Sequence, residues 1–160
     1  MAFFLSTYTN KIDKKGRISV PASFRSSVHA PASGNHFPGV VLYKPFGVQC
    51  IEGADMAYLE RITEHFNNDF GPFSTEHDAM AEEILGGSTP LQFDPEGRIM
   101  LPPALCEFAG IEANATFVGM GKKFRIWNPE VFEAQGEQRR IVAGAAAIGL
   151  KPLPTSGGRE

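Results

Sequence analysis

An eleven-residue motif that occurs twice constrains this chain more than any other feature of its sequence. KIDKKGRISVP at residues 11–21 and QFDPEGRIMLP at residues 92–102 share aspartate, glycine, arginine, isoleucine and proline, each pair separated by 81 residues. The constant offset indicates an internal repeat, so both halves of the chain are expected to fold alike. With 160 residues and 42% hydrophobic content, the chain can bury a core as one domain or as two small lobes.

Each copy of the motif predicts a tight turn that enters a strand. Apolar residues alternate with polar ones after the arginine, which is typical of a half-buried strand. Gly16 and Gly97 suit the positive φ of the turn. The closing proline, Pro21 or Pro102, has no N–H to donate, so the strand is expected to end there.

A short helix, a strand hairpin and a longer helix are expected after each copy. The hairpins are predicted at residues 40–52 and 115–127, and the longer helices at 54–67 and from Asn128 towards Arg140. Alignment of Ile51 with Ile126 changes the offset to 75, because the first half carries an inserted loop at residues 29–39. An additional acidic helix is predicted at residues 74–88.

The net charge of −3 hides a strong asymmetry along the chain. Residues 1–25 contain five basic residues and one acidic residue, which leaves +4. Residues 51–96 contain eleven acidic residues and one arginine, which leaves −10. A basic cluster is the electrostatic footprint of a nucleic-acid partner, so the first motif copy is a candidate contact.

The doubled Asp-x-x-Gly-Arg core, followed each time by an alternating strand and a proline, resembles the MraZ family of bacterial regulators. The first copy matches that family's Asp-x-Lys-Gly-Arg at Asp13, Lys15, Gly16 and Arg17. The second copy keeps the core but has Glu96 in place of the lysine. The resemblance implies an α+β fold with tandem AbrB-like swapped-hairpin β-barrel lobes and flanking helices.

The resemblance covers residues 1–145 and implies a function. The repeat and the composition divide the chain into a first repeat (1–70), a linker helix (71–90), a second repeat (91–145) and a tail (146–160) that is expected to be disordered. The resemblance implies a ring-forming regulator, expected to be a cytoplasmic, nucleoid-associated repressor, and the small contact surface of one chain also favours a ring-like homo-oligomer. Its expected partner is double-stranded DNA with direct repeats upstream of its own gene, in the division and cell-wall gene cluster.

The basic residues of the motif are suited to DNA. A guanidinium presents its donors in a fork that matches two phosphate oxygens or the O6 and N7 atoms of guanine. Arg17 and Arg98 are therefore the candidate base-reading residues. Lys14, Lys15 and Arg25 are candidate phosphate contacts, which fix the register without reading the sequence.

Asp13 and Asp94 are predicted to orient these arginines, either by holding them in a binding rotamer or by closing the turn through backbone donors. They are not expected to touch DNA, which repels a carboxylate. Gly16 and Gly97 are predicted to shape the same turns. A second interpretation stays open, since an Asp–Arg pair at a turn is often only a structural ion pair and lysines at a turn are often only solvated.

A second basic cluster, formed by Lys122, Lys123 and Arg125, lies beside Trp127 in the second predicted hairpin. Phosphate contact is one interpretation of these residues. An ordinary solvated hairpin surface is the other and the more common one.

The sequence gives little support for an enzyme, a metal site or a cofactor. Cys50 and Cys106 form no Cys-x-x-Cys pair and are expected to be reduced and buried. The four histidines lack the spacing of metal ligands: His29, His36, His65 and His77. The apolar run at 141–150 is too short to span a bilayer, so no membrane association is expected.

Two alternatives to a DNA-binding regulator remain. The turn at residues 119–123 contains glycines and lysines that suit a small phosphate-handling enzyme, although it lacks a phosphate-loop pattern. A purely structural ring protein would use the repeat for assembly without any readout of DNA.

Overall fold

The two motif copies form short strands that pair with each other, and six other strands form a larger sheet. The computed structural model describes residues 2–28 and 37–154, so most of the predicted 29–39 loop and the end of the predicted tail lie outside the described residues. The strands are β1 (Thr7–Lys11), β2 (Arg17–Ser19), β3 (Gly39–Tyr43), β4 (Ile51–Ala54), β5 (Thr89–Gln92), β6 (Arg98–Met100), β7 (Asn114–Gly119) and β8 (Lys123–Trp127). The helices are α1 (Ala22–Ser27), α2 (Met56–Asp69), α3 (Thr75–Met80), α4 (Pro103–Ala109), α5 (Pro129–Ala134) and α6 (Gly136–Ile148).

The larger sheet exchanges strands between the two halves of the chain. Its order is β1-β7-β8-β4-β3-β5, with antiparallel neighbours throughout. Lys11 in β1 lies opposite Asn114 in β7, and its repeat equivalent Gln92 in β5 lies opposite Gly39 in β3. Each motif is therefore attached to the hairpin of the other half, and the sheet is symmetric about its centre.

The centre of the sheet is the pairing of β4 with β8, in which Ile51 lies directly opposite Ile126. These are the two residues that the offset of 75 aligns, so the predicted equivalence is confirmed. Both predicted hairpins are also confirmed, as β3–β4 and β7–β8.

Four phenylalanines that are fully buried join the two halves in one core: Phe4, Phe24, Phe117 and Phe124. Their ring centroids lie between 4.9 and 6.2 Å apart in five pairs. Burial of each phenylalanine contributes about 1.5–3 kcal/mol. The alternating apolar residues of the motif strands belong to the same core, as predicted.

Helix α2 confirms the helix predicted at residues 54–67, with a shift of two residues at each end. It begins after Asp55, whose Oδ1 atom accepts a 2.8 Å hydrogen bond from the Tyr58 N–H. This N-cap fixes the start of the helix. Leu59 and Phe66 are buried on one face, as the helical spacing of apolar residues predicts.

The predicted acidic helix at residues 74–88 is present, but it changes from α-helical to π-helical along its length. Helix α3 begins after Ser74, whose hydroxyl accepts from the His77 N–H at 3.0 Å. A π-helical turn follows at Ala81–Leu85, and the Gly86 N–H donates to the Ala81 oxygen five residues earlier. Hydrophobic periodicity does not distinguish one π turn from an α-helix, so this turn was not predictable from the sequence.

The chain divides into two compact units, residues 1–129 and 130–160. In the second unit, the Arg139 guanidinium lies 3.9 Å from the centroid of the Phe132 ring. The sequence predicts one continuous helix here, but the structure has α5 and α6, with a break before Gly136, a poor helix former. Residues 146–148 are helical, and residues 149–154 belong to no helix or strand.

The α+β class is confirmed by this arrangement of antiparallel strands and helices. Cys50 and Cys106 are free thiols, and burial raises the pKa of Cys50 to about 11. Cys50 is buried, as predicted, and its raised pKa opposes formation of the thiolate, whereas Cys106 is only partly buried. No helix in the described part of the chain is long and apolar enough to cross a membrane.

Candidate nucleic-acid interface

The two motif copies form one surface because β2 pairs with β6. Ile18 lies directly opposite Ile99, its own equivalent in the repeat. The N–H two residues after each isoleucine donates to the glycine oxygen of the other copy, at 3.0 Å in both directions. The doubled motif therefore builds a two-stranded unit with an approximate twofold axis between the isoleucines.

Asp13 organises the turn of the first copy. Its Oδ1 atom accepts hydrogen bonds from the backbone N–H groups of Lys15 at 2.9 Å and Arg17 at 2.8 Å. Its Oδ2 atom accepts from Arg17 Nε at 2.7 Å. Gly16 has a φ of 86°, which glycine adopts without strain. One carboxylate thus closes the turn and holds the arginine side chain.

Asp94 has the same contacts in the second copy. Its Oδ1 atom accepts from the N–H groups of Glu96 and Arg98, both at 2.9 Å, and its Oδ2 atom accepts from Arg98 Nε at 2.8 Å. Gly97 has a φ of 78°. The backbone and side-chain geometry of the repeat is therefore reproduced closely in both turns.

The hydrogen bonds to the two aspartates keep them ionised. The backbone N–H of Arg17 is the main cause of a lowered pKa for Asp13, and the Arg98 N–H has the same effect on the pKa of Asp94. Donors that point at a carboxylate favour its charged form. Both arginines are thus held by a permanent negative charge near neutral pH.

The terminal nitrogens of the two arginines have different surroundings. Arg98 Nη2 donates to Glu96 Oε1 at 2.9 Å, and Arg98 Nη1 lies 3.9 Å from Asp13 Oδ2. The pKa of Arg98 is raised, mainly by its hydrogen bond to Asp94. Among the described residues, Arg17 has a single ion-pair partner, Asp13. The first arginine therefore offers more of its charge to a ligand.

The exposed corners of the two turns also differ in charge. Lys14 and Lys15 are exposed in the first turn, and the equivalent exposed positions in the second are Pro95 and Glu96. Positive charge is thus concentrated at the first copy, although the backbone is nearly the same in both.

Arg25 makes a contact between the motif copies that the sequence did not predict. Its Nε atom donates to the Val20 oxygen at 3.1 Å. Its guanidinium also packs on Gly97, where an added Cβ atom would lie 2.5 Å from Arg25 Nε. The side chain on α1 therefore supports the turn of the second copy.

The second basic cluster is anchored by a buried acid. Glu52 is 5% exposed, and its Oε1 atom lies 3.0 Å from Arg125 Nε and 3.4 Å from Lys123 Nζ. The Tyr43 hydroxyl donates to Glu52 Oε2 at 2.8 Å. Sequence reasoning missed Glu52, although an acid inside the apolar run at residues 50–54 is itself a signal of a buried partner. Lys123 and Arg125 of this cluster therefore belong to one ion network with Glu52.

The remaining candidate chemistry is not assembled into a site. No group of three His, Cys, Asp or Glu side chains in the described ranges has the geometry to hold a metal ion. His29 and His36 lie outside those ranges. The 119–123 segment closes the β7–β8 hairpin, where the Met120 N–H donates to the Lys123 oxygen at 2.9 Å.

Comparisons with known proteins agree on one family. The family model described as "MraZ protein, putative antitoxin-like" matches residues 84–146. The transcriptional regulator MraZ of Pelagibacter ubique is 45% identical over 130 residues, which cover 81% of this chain and 81% of that protein. The transcriptional regulator MraZ of Rickettsia canadensis is 42% identical over 133 residues, covering 83% and 86%. The one from Rickettsia felis is 41% identical over 151 residues, covering 94% and 98%.

Proposed function

Because this chain belongs to the MraZ family of transcriptional regulators, we propose that it regulates transcription by binding specific double-stranded DNA through its paired motifs. The observation that carries this proposal is the pairing of β2 with β6. It places two arginines, each oriented by its own aspartate, on one two-stranded unit. The relatives compared above are named transcriptional regulators, in agreement with the expectation that the chain is not an enzyme.

The geometry of the arginines supports DNA as the ligand. In each copy Nε is occupied by aspartate, so contact with DNA falls to the terminal nitrogens. Two such nitrogens can donate together to a phosphate or to the O6 and N7 atoms of guanine. An arginine already held in one rotamer loses less conformational entropy when it binds. Arg17 and Arg98 are thus the proposed base-reading residues.

Lys14, Lys15 and Arg25 are the proposed phosphate contacts. The two lysines are exposed on the first turn, where release of counterions favours binding. Arg25 is half-buried and holds the second turn through its Nε atom, so its contribution to DNA binding would come from its terminal nitrogens.

The family resemblance extends the proposal to the site and the assembly. We propose a ring-like homo-oligomer that represses the division and cell-wall gene cluster from direct repeats upstream of its own gene. Several chains side by side multiply a contact that is small in one chain. Its place would be the cytoplasm, in association with the nucleoid.

The test is a binding titration with the DNA upstream of the gene for this chain, compared with a scrambled duplex of equal length. Wild-type protein should prefer the upstream DNA. Arg17→Ala should lower that specific affinity by about 1–3 kcal/mol if the guanidinium reads a base. Arg98→Ala should cost less, because Glu96 and Asp13 already surround its terminal nitrogens.

Lys14→Ala is the matched control for sequence readout. It should weaken both duplexes about equally and lower the salt slope by about one unit, since it removes only a phosphate contact. Equal affinity of the wild-type protein for both duplexes, unchanged by Arg17→Ala, would contradict the proposed function. Such a result would leave the chain as an assembly protein without DNA readout.

A further inference from the structure

One carboxylate breaks the symmetry of the paired motifs. The backbone, the aspartate clamp and the arginine Nε contact are the same in both copies. The two turns differ at two exposed positions, and at the second of these, two residues after the aspartate, Lys15 in the first copy corresponds to Glu96 in the second. Glu96 Oε1 accepts from Arg98 Nη2 at 2.9 Å.

This contact lies on the edge of Arg98 that is left for a DNA ligand. With Nε bound to Asp94, the bidentate edge of Arg98 consists of its terminal nitrogens. Nη2 is bonded to Glu96, and Nη1 lies 3.9 Å from Asp13. Because each terminal nitrogen carries two N–H groups, Glu96 does not occupy the whole edge, but a phosphate or guanine oxygen must share Nη2 with its carboxylate and approach beside its negative charge.

The ion pair of Glu96 with Arg98 is weak enough for a ligand to displace it. The Glu96 side chain is 74% exposed, whereas the Arg98 side chain is 23% exposed. An ion pair with one solvated partner is weak, because water competes for the carboxylate. The Glu96 side chain also does not hold the turn, since the backbone N–H of Glu96 makes the bond to Asp94. Its carboxylate can therefore leave without unfolding the site.

We propose that Glu96 is an intramolecular competitor of DNA for Arg98, which gives each chain one strong and one weak contact arginine. This inference rests on the proposed function and deepens it. The paired motifs have nearly twofold geometry, but the ligand surface is directional because, among the described residues, only the second arginine has a carboxylate hydrogen-bonded to a terminal nitrogen. A directional surface suits direct repeats, since site symmetry follows protein symmetry.

A double-mutant cycle between Glu96 and Arg98 tests the proposal with the full-length chain. The probe is a duplex selected by the wild-type protein from a random pool, with a scrambled duplex beside it. Glu96→Gln should tighten binding about two- to fivefold, the range expected for loss of an exposed ion pair. In an Arg98→Ala background the same substitution should give less than half of that gain on a logarithmic scale, because the residue it releases is gone.

The salt dependence of DNA binding by Glu96→Gln shows whether Arg98 then contacts a phosphate or a base. A phosphate contact should steepen the slope of log affinity against log salt by about 0.9. A base contact should leave the slope unchanged and widen the preference for the selected duplex. Either result, with the coupling to Arg98, supports the proposal.

The first copy offers a reciprocal experiment at the equivalent position. Lys15→Glu places a competitor beside Arg17, and Lys15→Gln removes only the lysine. Lys15→Glu should bind more weakly than Lys15→Gln, and this difference should shrink in an Arg17→Ala background.

Two outcomes would overturn the proposal, and they are distinguishable. An equal gain from Glu96→Gln with and without Arg98 would show that Glu96 acts only as a general negative charge, and the proposed function would stand. Absence of salt-dependent DNA binding by every variant would reject the proposed function and this inference together. Equal melting temperatures of wild-type protein and Glu96→Gln would confirm that the turn stays folded in the comparison.

Discussion

At the scale of single residues, each motif aspartate has two tasks that one carboxylate can perform together. Asp13 bonds the turn through one oxygen and Arg17 through the other, and Asp94 does the same for Arg98. Because one carboxylate holds both the turn and the guanidinium, a change that destabilises the turn also releases the arginine from the orientation in which it would bind a ligand.

This double role predicts a dependence of stability on acid pH. The pKa values of Asp13 and Asp94 are lowered in the folded chain. Stability from such groups is present above their unfolded pKa of about 3.9 and is lost as pH falls through the folded pKa. Melting temperatures should be measured between pH 7 and pH 2 for the wild-type protein and for the Asp13→Asn, Asp94→Asn double variant. Below about pH 4 they should fall less steeply in the double variant than in the wild-type protein. An unchanged pH profile would show that these turns contribute little to stability.

The buried acid in the sheet gives a prediction for stability alone. Glu52→Gln removes the charge that Arg125 and Lys123 share, while it keeps an acceptor for the Tyr43 hydroxyl. We expect the free energy of unfolding to fall by about 1.5–3 kcal/mol, less than for a fully buried pair because both cations are partly exposed. The matched control is Glu60→Gln on the exposed face of α2. This substitution should change the free energy of unfolding by less than about 0.5 kcal/mol. Similar effects of the two substitutions in urea unfolding would contradict this role of Glu52.

Which residues belong to the site was partly predictable. The repeat identified the aspartates, glycines and arginines of the motif because their spacing is local. The contacts of Glu96 with Arg98 and of Arg25 with Gly97 were not predictable from that spacing alone. The first contact depends on side-chain rotamers. The second depends also on the cross-strand pairing of two segments 81 residues apart.

At the scale of elements, alternation and turn residues located the motif strands and both hairpins. They did not decide which strands pair. Because the halves have the same pattern, β1 could pair with either hairpin, and only the structure shows that it pairs with β7. The π-helical turn and the break before α6 likewise depend on local geometry that periodicity does not report.

The packing of Arg25 on the second turn predicts unequal costs for two equivalent glycines. Gly16→Ala should destabilise the fold by about 1–2 kcal/mol, the cost of a left-handed non-glycine residue, because its nearest neighbour would be Met100 Sδ at 3.5 Å. Gly97→Ala should cost more, since its Cβ atom would lie 2.5 Å from Arg25 Nε. In an Arg25→Ala background the cost of Gly97→Ala should approach that of Gly16→Ala. Equal destabilisation by Gly16→Ala and Gly97→Ala in the wild-type background would show that the Arg25 side chain moves aside without loss of stability.

At the scale of the whole molecule, the proposed cyclic assembly predicts the spacing of its DNA sites. Identical chains arranged head to tail present the same surface repeatedly in one direction, which favours direct repeats over a palindrome. Neighbouring surfaces must meet one side of the duplex, so boxes should recur about every 10 bp. An insertion of about 5 bp between boxes should abolish cooperative binding, and one of about 10 bp should partly restore it. Equal affinity for both would mean that the boxes are bound independently.

The central claim is that the paired motifs are the surface that meets DNA, and chemical footprinting tests it most directly. Lysine acetylation and arginine modification are measured by mass spectrometry with and without the selected duplex. DNA should protect Lys14, Lys15 and Arg17 strongly, because they lie on the first motif turn or begin its strand, and it should leave Lys44 and Lys151 reactive. Protection of Lys44 or Lys151 with unchanged reactivity at Lys14, Lys15 and Arg17 would contradict the claim.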